Sequence, residues 1–485
     1  MADFSYDKSS PESILSHARL LLGKSIRNLH PSAKLYSDGK GGLGQTIEKY
    51  HFGYMPNDDA APDFAEAGVE LKCLRLKELR DGSMVSRDRL VLNIINYMEE
   101  YSKTFETSSF THKNALLLLM FCLHVHGVSE LDFLFKIIRL WQIPEEDLKI
   151  FIDDWTIIHD KIVNGLAHEL SEGDTLYLAA CRKGKGHDGD KRSQPGSSTL
   201  ADQRAYSIKI AYLNHIILDS ISHTEMVDGV TMTLKQRRAI EKKKGVGSIV
   251  KSIKDYRQGE TFEQLVKRRF TPFIGMSVRA IAKKLNATIS TSPKAISYSI
   301  CRAILGVKEL RIAEFEKADL QLKTIRLEPN GNLKEAMSFQ SIKYKEIINE
   351  EDWNESDWYR TIATQRFLFI VFRKVKNGSP SDAVLERVFF WAMPQTDIDS
   401  AEAFWRDTRD KVRAGDYTHF IKSSEHPVCH VRHKAKNAED TTDTPQGGKA
   451  KKLCYWLNRN YILGVVKKNM SPIIPWKTGC PTPHP

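Results

Sequence analysis

The pair Pro62-Asp63 is followed, after six residues, by Glu70-Leu71-Lys72, so two carboxylates and an ammonium group stand in the pattern Asp-x6-Glu-x-Lys. On a strand, residues two apart point to the same face, which puts Glu70 beside Lys72 and turns Leu71 into the core. Asp63 then falls in the turn or strand leading in, where a return of the chain can bring it next to Glu70. Two carboxylates and the Leu71 backbone carbonyl are hard oxygen ligands of the kind Mg²⁺ takes while keeping several waters. Lys72 is left to steer or deprotonate a water and to stabilise negative charge developing on a phosphate. That is the chemistry of phosphodiester hydrolysis. A surface strand with a salt bridge gives the same spacing. Here, however, the strand is apolar at its heart (GVEL), an acid precedes it (Glu48 in TIEKYHFG) and a basic segment follows it (Lys113 in ETSSFTHK).

The elements that must hold these groups are of both kinds. VELKCLRL, RLVLNIINY and NALLLLMFCLHV read as strands, the last two apolar on both faces, while residues 11–22, 146–166 and 207–219 carry helical spacing. The expected fold is α/β, a mixed central sheet flanked by helices.

The chain then repeats itself at an offset of 249 to 253 residues. Gly23 in LLLGKSIRNL answers to Gly275, Gly53 to Gly306, Asp63 to Glu314, Trp155 to Trp405, Arg182 to Arg432, and Tyr206 and Tyr212 to Tyr455 and Tyr461. Matches in one order at one offset are the mark of a duplicated domain. In the second copy Glu314 stands for Asp63, Gln321 for Glu70, Lys323 for Lys72 and Cys301 for Glu48. An amide and a soft sulfur are poor Mg²⁺ ligands. The second copy is therefore expected to have lost metal and cleavage, keeping a fold, a lysine and an Arg432–Lys434 cluster that suit DNA binding.

Between the copies, KQRRAIEKKKGVG sets Lys235, Arg237, Arg238, Lys242, Lys243 and Lys244 against Glu241 alone. The expected division is a catalytic domain over 1–234, a basic linker over 235–250 and a degenerate DNA-binding domain over 251–485. A second basic loop, Arg182 to Gly196, is too rich in glycine for a regular element and could wrap a DNA groove through Lys183, Lys185 and Arg192. The tail SPIIPWKTGCPTPHP reads as an irregular strap, and Trp353 and Trp358 are expected to pack under a loop.

Composition sets the limits. A chain of 485 residues needs at least two domains, and 41% hydrophobic with 27% charged residues suits a water-soluble globule. Lys and Arg exceed Asp and Glu by 72 to 61, which favours an anionic partner. No run is apolar enough to span a bilayer, and the opening MADFSYDKSS is unlike a signal peptide, so a cytoplasmic protein is expected. Seven cysteines without paired spacing read as thiols. Neither Cys122, His124 and His126 nor Cys429, His430 and His433 offers four zinc ligands at familiar spacing. No GxxxxGK[ST] sequence points to ATP-driven translocation.

DFAEAGVELK resembles the active-site segment of the MutH family of mismatch-repair nicking endonucleases, and the likeness runs on through ETSSFTHK and AHELSEG. Over nearly its whole length the chain looks like the two-domain, GATC-cutting type II restriction endonucleases of the Sau-three-A type, through AEAGVELK, RLVLNIINY, FETSSF and NGLAHELSEG. The resemblance implies two tandem restriction-endonuclease-like domains of the PD-(D/E)xK, MutH-like kind. It implies metal ligation by Glu48, Asp63 and Glu70, catalytic lysines at Lys72 and Lys113, and Mg²⁺ with Mn²⁺ as a substitute. It places a DNA-proximal tyrosine at Tyr206, with Lys209 beside it, and the base-reading loop at Lys185–Pro195 with Arg192 and Gln194. It also implies double-stranded DNA as substrate, a second chain recruited on DNA, and a second domain that binds another copy of the site as an effector. A strand-nicking repair enzyme is the main rival, although one domain suffices for that family. A non-catalytic DNA-binding regulator would leave Glu48, Asp63, Glu70 and Lys72 an unneeded coincidence.

Overall fold

The computed structural model describes residues 6–39, 41–57, 60–79, 81–183, 191–223, 227–228, 245–288, 296–433 and 440–469. Lys185, Lys434, the linker up to Lys244 and the proline-rich tail lie outside the described residues.

In the first half the strands are β1 (Val69–Glu78), β2 (Met84–Ser86), β3 (Leu90–Ile94), β4 (Leu116–Leu123), β5 (Phe135–Trp141), β6 (Leu178–Arg182), β7 (Lys191–Gln194), β8 (Ser197–Asp202) and β9 (Arg204–Ile208). One sheet runs β2-β1-β4-β5 and another β3-β9-β6, with β7 and β8 as a separate hairpin. The run LLLLMFCL is apolar throughout because β4 is central and covered on both faces. Leu117, Leu119 and Phe121 enter one core, while Leu118, Met120 and Cys122 enter another. β1 lies parallel to β4, with Glu70 opposite Leu117 and Lys72 opposite Leu119. The register therefore fixes which β1 side chains share a face.

The second half repeats this plan. After the two-residue strands β10 (Val246–Gly247) and β11 (Arg311–Ile312) come β12 (Gln321–Leu327), β13 (Met337–Ser341), β14 (Phe367–Arg373), β15 (Val384–Trp391), β16 (Cys429–His433), β17 (Thr441–Asp443), β18 (Lys449–Lys451) and β19 (Leu453–Leu457). The sheet orders β12-β14-β15 and β13-β19-β16 match β1-β4-β5 and β3-β9-β6 of the first half, with no counterpart of β2 among the described strands and again with a separate hairpin, β17 and β18. Even the irregularities recur: the ladder slips between Phe121 and Cys122 in β4 and between Val371 and Phe372 in β14. Trp155 Nε1 donates to Glu100, as Trp405 Nε1 does to Glu350, and the Tyr212 and Tyr461 hydroxyls donate to Asp147 and Asp397.

Several expectations are corrected by packing. The first helix ends at Ala18 and tightens into a 3₁₀ turn at Arg19–Leu21, and the helix expected from 207 starts at Ile210 because β9 takes the residues before it. Trp353 and Trp358 are not under a loop: both are buried core residues, against Trp405 and Tyr455. The end of the linker belongs to the second half. Val246–Gly247 pairs with Arg311–Ile312, and Glu314 accepts from the Ile249 and Val250 amides at 3.2 and 3.0 Å. Arg182 and Arg432 are not equivalent either. Arg182 pairs with Arg204, whereas Arg432 pairs with Cys454, one residue out of step, so the arginines point to opposite faces. The six described cysteines are free thiols, and no described helix is long and apolar enough to cross a membrane.

One core runs through both halves, from Leu74 and Trp155 to Phe262, Ile300 and Phe390. Its polar seam is specific. The Lys209 ammonium, 7% exposed, donates to the Thr175 carbonyl within its own half and at 2.8 Å to the Thr364 carbonyl of the other. The Tyr359 hydroxyl donates to Glu172 at 2.9 Å, and Lys317 pairs with Asp147 at 2.7 Å. Gly173 is required at this seam: a Cβ there would stand 2.8 Å from the Ala392 Cβ and 3.2 Å from two backbone oxygens.

Candidate active site

The first-half site forms where β1 begins. Glu70 is 3% exposed, and its Oε1 accepts from the Lys72 ammonium at 2.7 Å, with the Lys113 ammonium at 3.9 Å. Its Oε2 accepts from the Asp63 amide at 3.1 Å, and the Asp63 Oδ2 accepts from the Leu71 amide at 2.8 Å. Each carboxylate is thus fixed by a backbone amide of the other's segment, Glu70 by that of Asp63 and Asp63 by that of Leu71, and the returning turn, closed by the Phe64–Val69 bridge and Gly68 at φ 65°, is what brings them together. Lys113 arrives on the short helix Ser109–Asn114, capped by the buried Ser108 and tied down by Asn114, which donates to Asn93 at 2.8 Å.

Glu48 opens a five-residue π-helical turn, Glu48–Phe52, that ends on Gly53 at φ 73°. Such turns recur at functional sites because they re-aim a side chain. Burial, then the charges of Asp63 and Glu70, push the Glu48 carboxyl up to about 7 against the pull of Lys72 and Lys113. Asp63 is pushed up for the same reasons, burial first and Glu70 next. Behind the turn, His17 and His51 stack at 4.5 Å and each ring donates through Nε2 to the other's carbonyl, at 2.8 and 3.0 Å. His51 Nδ1 therefore accepts from His30 Nε2 at 3.2 Å, and burial holds the His51 imidazole down to about 3.

Among the described residues no three His, Cys, Asp or Glu side chains, Glu48, Asp63 and Glu70 included, are gathered closely enough to hold a metal ion together. The fit to Mg²⁺ therefore rests on donor type, since Mg²⁺ takes carboxylate oxygens and keeps several waters. Burial, and after it the charges of Asp63 and Glu70, raises Glu48, a cost that a bound divalent cation would offset, and every carboxylate here is a hard oxygen donor. The residues fit the metal. Tyr54 was not anticipated from sequence. Its hydroxyl is buried with no partner among the described residues, and burial with the charges of Asp63, Glu48 and Glu70 pushes it far up. A tyrosine after a turn glycine gives no sequence signal of that placement.

The type II restriction enzyme Sau3AI of Staphylococcus aureus is 31% identical to this chain over 480 residues, covering 92% of each. The chain belongs to this family of restriction endonucleases. The family pattern of the DNA mismatch repair enzyme MutH matches it twice, at residues 52–154 and 308–401, once in each half. The DNA mismatch repair protein MutH of Shewanella woodyi is 25% identical over 221 residues, 42% of this chain and 90% of its own length. A complex of the restriction endonuclease MvaI with its cognate DNA aligns over 41% of this chain and 94% of its own at 12% identity, with a TM-score of 0.19, too low to bear on the fold. The enzyme is accordingly a restriction endonuclease of two tandem MutH-like α/β domains.

In the second half, Gln321 lies opposite Phe367 on β14 as Glu70 lies opposite Leu117 on β4, so the substitution is at the same register position. Its amide donates to Asp319 at 2.7 Å. Cys301 is fully buried, Glu314 caps the linker backbone, and Thr361 stands in the place of Lys113. Lys323 stands 5.0 Å from the Phe339 ring centroid.

The residues expected at DNA divide. Lys183, Arg192 and Arg432 are exposed. Three are withdrawn. Tyr206 is fully buried with its hydroxyl donating to Glu100 at 3.0 Å. Gln194 is buried, accepting from the Ala167 amide and donating to Thr199 and His168, which leaves its amide nothing to read a base with. Lys209 is the interdomain rivet described above.

Proposed function

We propose that the first half hydrolyses duplex DNA at GATC sites with Mg²⁺, and that the second half binds a further copy of the site and raises the cleavage rate. The observation that carries the reading is the convergence of Glu48, Asp63, Glu70, Lys72 and Lys113 in one half, set against Cys301, Glu314, Gln321, Lys323 and Thr361 in the other. A bound divalent metal would polarise the phosphate and make a bound water acidic. Glu48, Asp63 and Glu70 would hold it, with the Leu71 carbonyl as a backbone ligand and Mn²⁺ as a substitute. Lys72, held by Glu70, supplies a fixed positive charge where the phosphate gains negative charge, and Lys113 adds a second from the facing helix. Exposed Lys183 and Arg192 on the β6–β8 side contact the backbone of the same duplex.

One gel tests the reading: a plasmid with known GATC sites, incubated with the protein and Mg²⁺, yields linear fragments ending at those sites, and none with EDTA. Nicked circles would instead favour a strand-nicking repair enzyme, and unchanged plasmid a DNA-binding regulator. The effector role predicts faster cleavage of two-site than one-site plasmids. Coupling of about 1–3 kcal/mol corresponds to roughly 5- to 150-fold in affinity.

A further inference from the structure

The face made by β6, β9 and the loop 172–176 is where the first half meets the second, through Glu172, Gly173, Thr175 and Lys209. The same face of the second half, made by β16, β19 and the loop 423–426, opens instead on a cavity of about 670 Å³. Lys334, Arg432 and Arg459 line it, and none makes an ion pair among the described residues. The one acid in the lining, Glu425, already accepts from the Lys422 amide at 2.7 Å. His426 is spent as well, its Nδ1 accepting from the Val428 and Cys429 amides.

Strand register shows what has changed. Arg432 stands where the first half has the buried Cys181, and His430 where it has the buried Ala179. Arg459 replaces Ile210 at the start of the following helix. At these three positions the covered face carries apolar residues and the open one two arginines and a histidine, whereas the buried Lys209 of the covered face is answered by Asn458. The Arg432 guanidinium is held 5.5 Å from the Trp456 ring centroid, and the Trp456 Nε1 donates to the Arg432 carbonyl at 3.1 Å. His430 is fixed by donating from Nδ1 to Asn458 at 2.6 Å. Three positive charges face a single carboxylate, Glu425, around one cavity, an excess that favours entry of an anion, and arginine pairs especially well with phosphate oxygens.

The counterpart of the catalytic cleft is bound up in neutral hydrogen bonds and reached by the first half. Thr361 is buried, Gln321 and Gln365 both donate to Asp319, and Lys209 of the first half reaches the adjoining Thr364 carbonyl.

We propose that the cavity lined by Lys334, Arg432 and Arg459 seats backbone phosphates of a second DNA duplex, so that the second half holds its effector by this face rather than by its vestigial cleft. The inference rests on the reading that the second half binds DNA. The test uses the full-length chain with Ca²⁺ in place of Mg²⁺ to hold cleavage off. A short fluorescent GATC duplex is titrated by anisotropy at several salt concentrations. Wild type should bind two duplexes per chain and Lys334→Ala/Arg432→Ala/Arg459→Ala one. Each single substitution should weaken only the second event and make its log K against log salt slope shallower by about 0.9. If wild type binds a single duplex, the effector reading fails and this inference with it. If the triple variant still binds two duplexes with an unchanged salt slope, the cavity assignment alone is overturned. Inorganic phosphate competing at the cavity without displacing the second duplex would also overturn it. Should the triple variant fail to fold, the single-variant salt slopes decide.

Discussion

Glu70 and Gln321 sit at the same register position of the same strand in two copies of one fold, yet one lies in a cluster of charge and the other in a network of amides. In the first half, Glu70 accepts from the Asp63 amide and Asp63 from the Leu71 amide, two ammonium groups stand at Glu70, and Glu48 is raised to about 7 by burial first and by Asp63 and Glu70 next. In the second, Gln321 and Gln365 both donate to Asp319, a neutral arrangement around a single acid. The comparison teaches that a catalytic carboxylate cluster is a stored electrostatic cost that only its ligands relieve. Once cleavage is not required of a copy, amides and apolar groups that satisfy one another can replace it without disturbing the sheet beneath.

The largest expected effect is on the cost-bearing side. Glu70→Gln copies into the first half the residue found in the second, and Lys72→Ala removes the charge beside it. Each should lower the single-turnover cleavage rate by about 10²–10³-fold or more. Duplex affinity in Ca²⁺ should stay within a few-fold, because backbone contacts elsewhere position the DNA. Affinity falling in step with rate would mean that these residues bind substrate rather than act on it, and the contrast with Gln321 would lose its meaning.

The next effect tests whether the two copies stand or fall together. Lys209→Met keeps the aliphatic stem but leaves the Thr175 and Thr364 carbonyls without their donor across the seam. Stranding buried acceptors costs about 1–3 kcal/mol each, so a loss of about 2–6 kcal/mol is expected. Denaturant unfolding, a single transition for wild type because one core spans both halves, should separate into two. An unchanged single transition would show that apolar packing alone joins the copies.

The first half's grouping of Asp63, Glu70 and Lys72 was legible because it is local. Asp63, Glu70 and Lys72 lie within ten residues of one another, and period-two alternation suffices to say which of them share a face. The loss in the second copy was legible too, since the repeat offset finds Gln321 directly. Lys113 does reach Glu70 from another element, but other inferences about side chains whose neighbours come from afar failed. Tyr206 looked like a DNA-facing tyrosine until its partner Glu100 was known, and Lys209 like a phosphate contact until the other half was seen to cover it. Arg182 and Arg432 matched by eye yet differ by one residue in register, an error that sequence comparison cannot see and that a strand turns into opposite faces. Tyr54 was missed because nothing but the fold brings its hydroxyl to the acids.

A smaller effect separates the charged site from its neutral copy by pH. The Glu48 carboxyl is raised from an ordinary value of 4.5 to about 7, so the metal-free folded state binds more protons than the unfolded chain across that window. Stability therefore falls as pH rises through it. His51, lowered from 6.5 to about 3, binds fewer protons folded than unfolded, so its contribution is lost as pH falls below 6.5. The two oppose each other between about pH 4.5 and 6.5. Glu48→Gln should remove one of them. In EDTA its melting temperature should gain on wild type progressively from pH 5 to pH 8, and the gain should disappear when Mg²⁺ is added. A constant difference across that range would mean that Glu48 is not strained by its neighbours.

The smallest effect is expected at Lys323, which occupies the place of Lys72 and, from sequence, was a candidate DNA contact. Lys72 has a buried carboxylate at 2.7 Å and a phosphate to meet, whereas Lys323 has the Phe339 ring at 5.0 Å in a site whose carboxylate has become Gln321. A partly exposed cation–π contact contributes about 0.5–1 kcal/mol, so Lys323→Ala should shift the melting temperature slightly and leave one-site cleavage within about twofold, against the about 10²–10³-fold loss for Lys72→Ala. Two-site stimulation should be equally indifferent if the second duplex is held by Lys334, Arg432 and Arg459. The three quantities come from one preparation: cleavage of one-site and two-site plasmids and a thermal melt. Loss of two-site stimulation in Lys323→Ala, with Arg432→Ala unaffected, would return the effector to the vestigial cleft and make the second copy a DNA-binding site of the same geometry as the first.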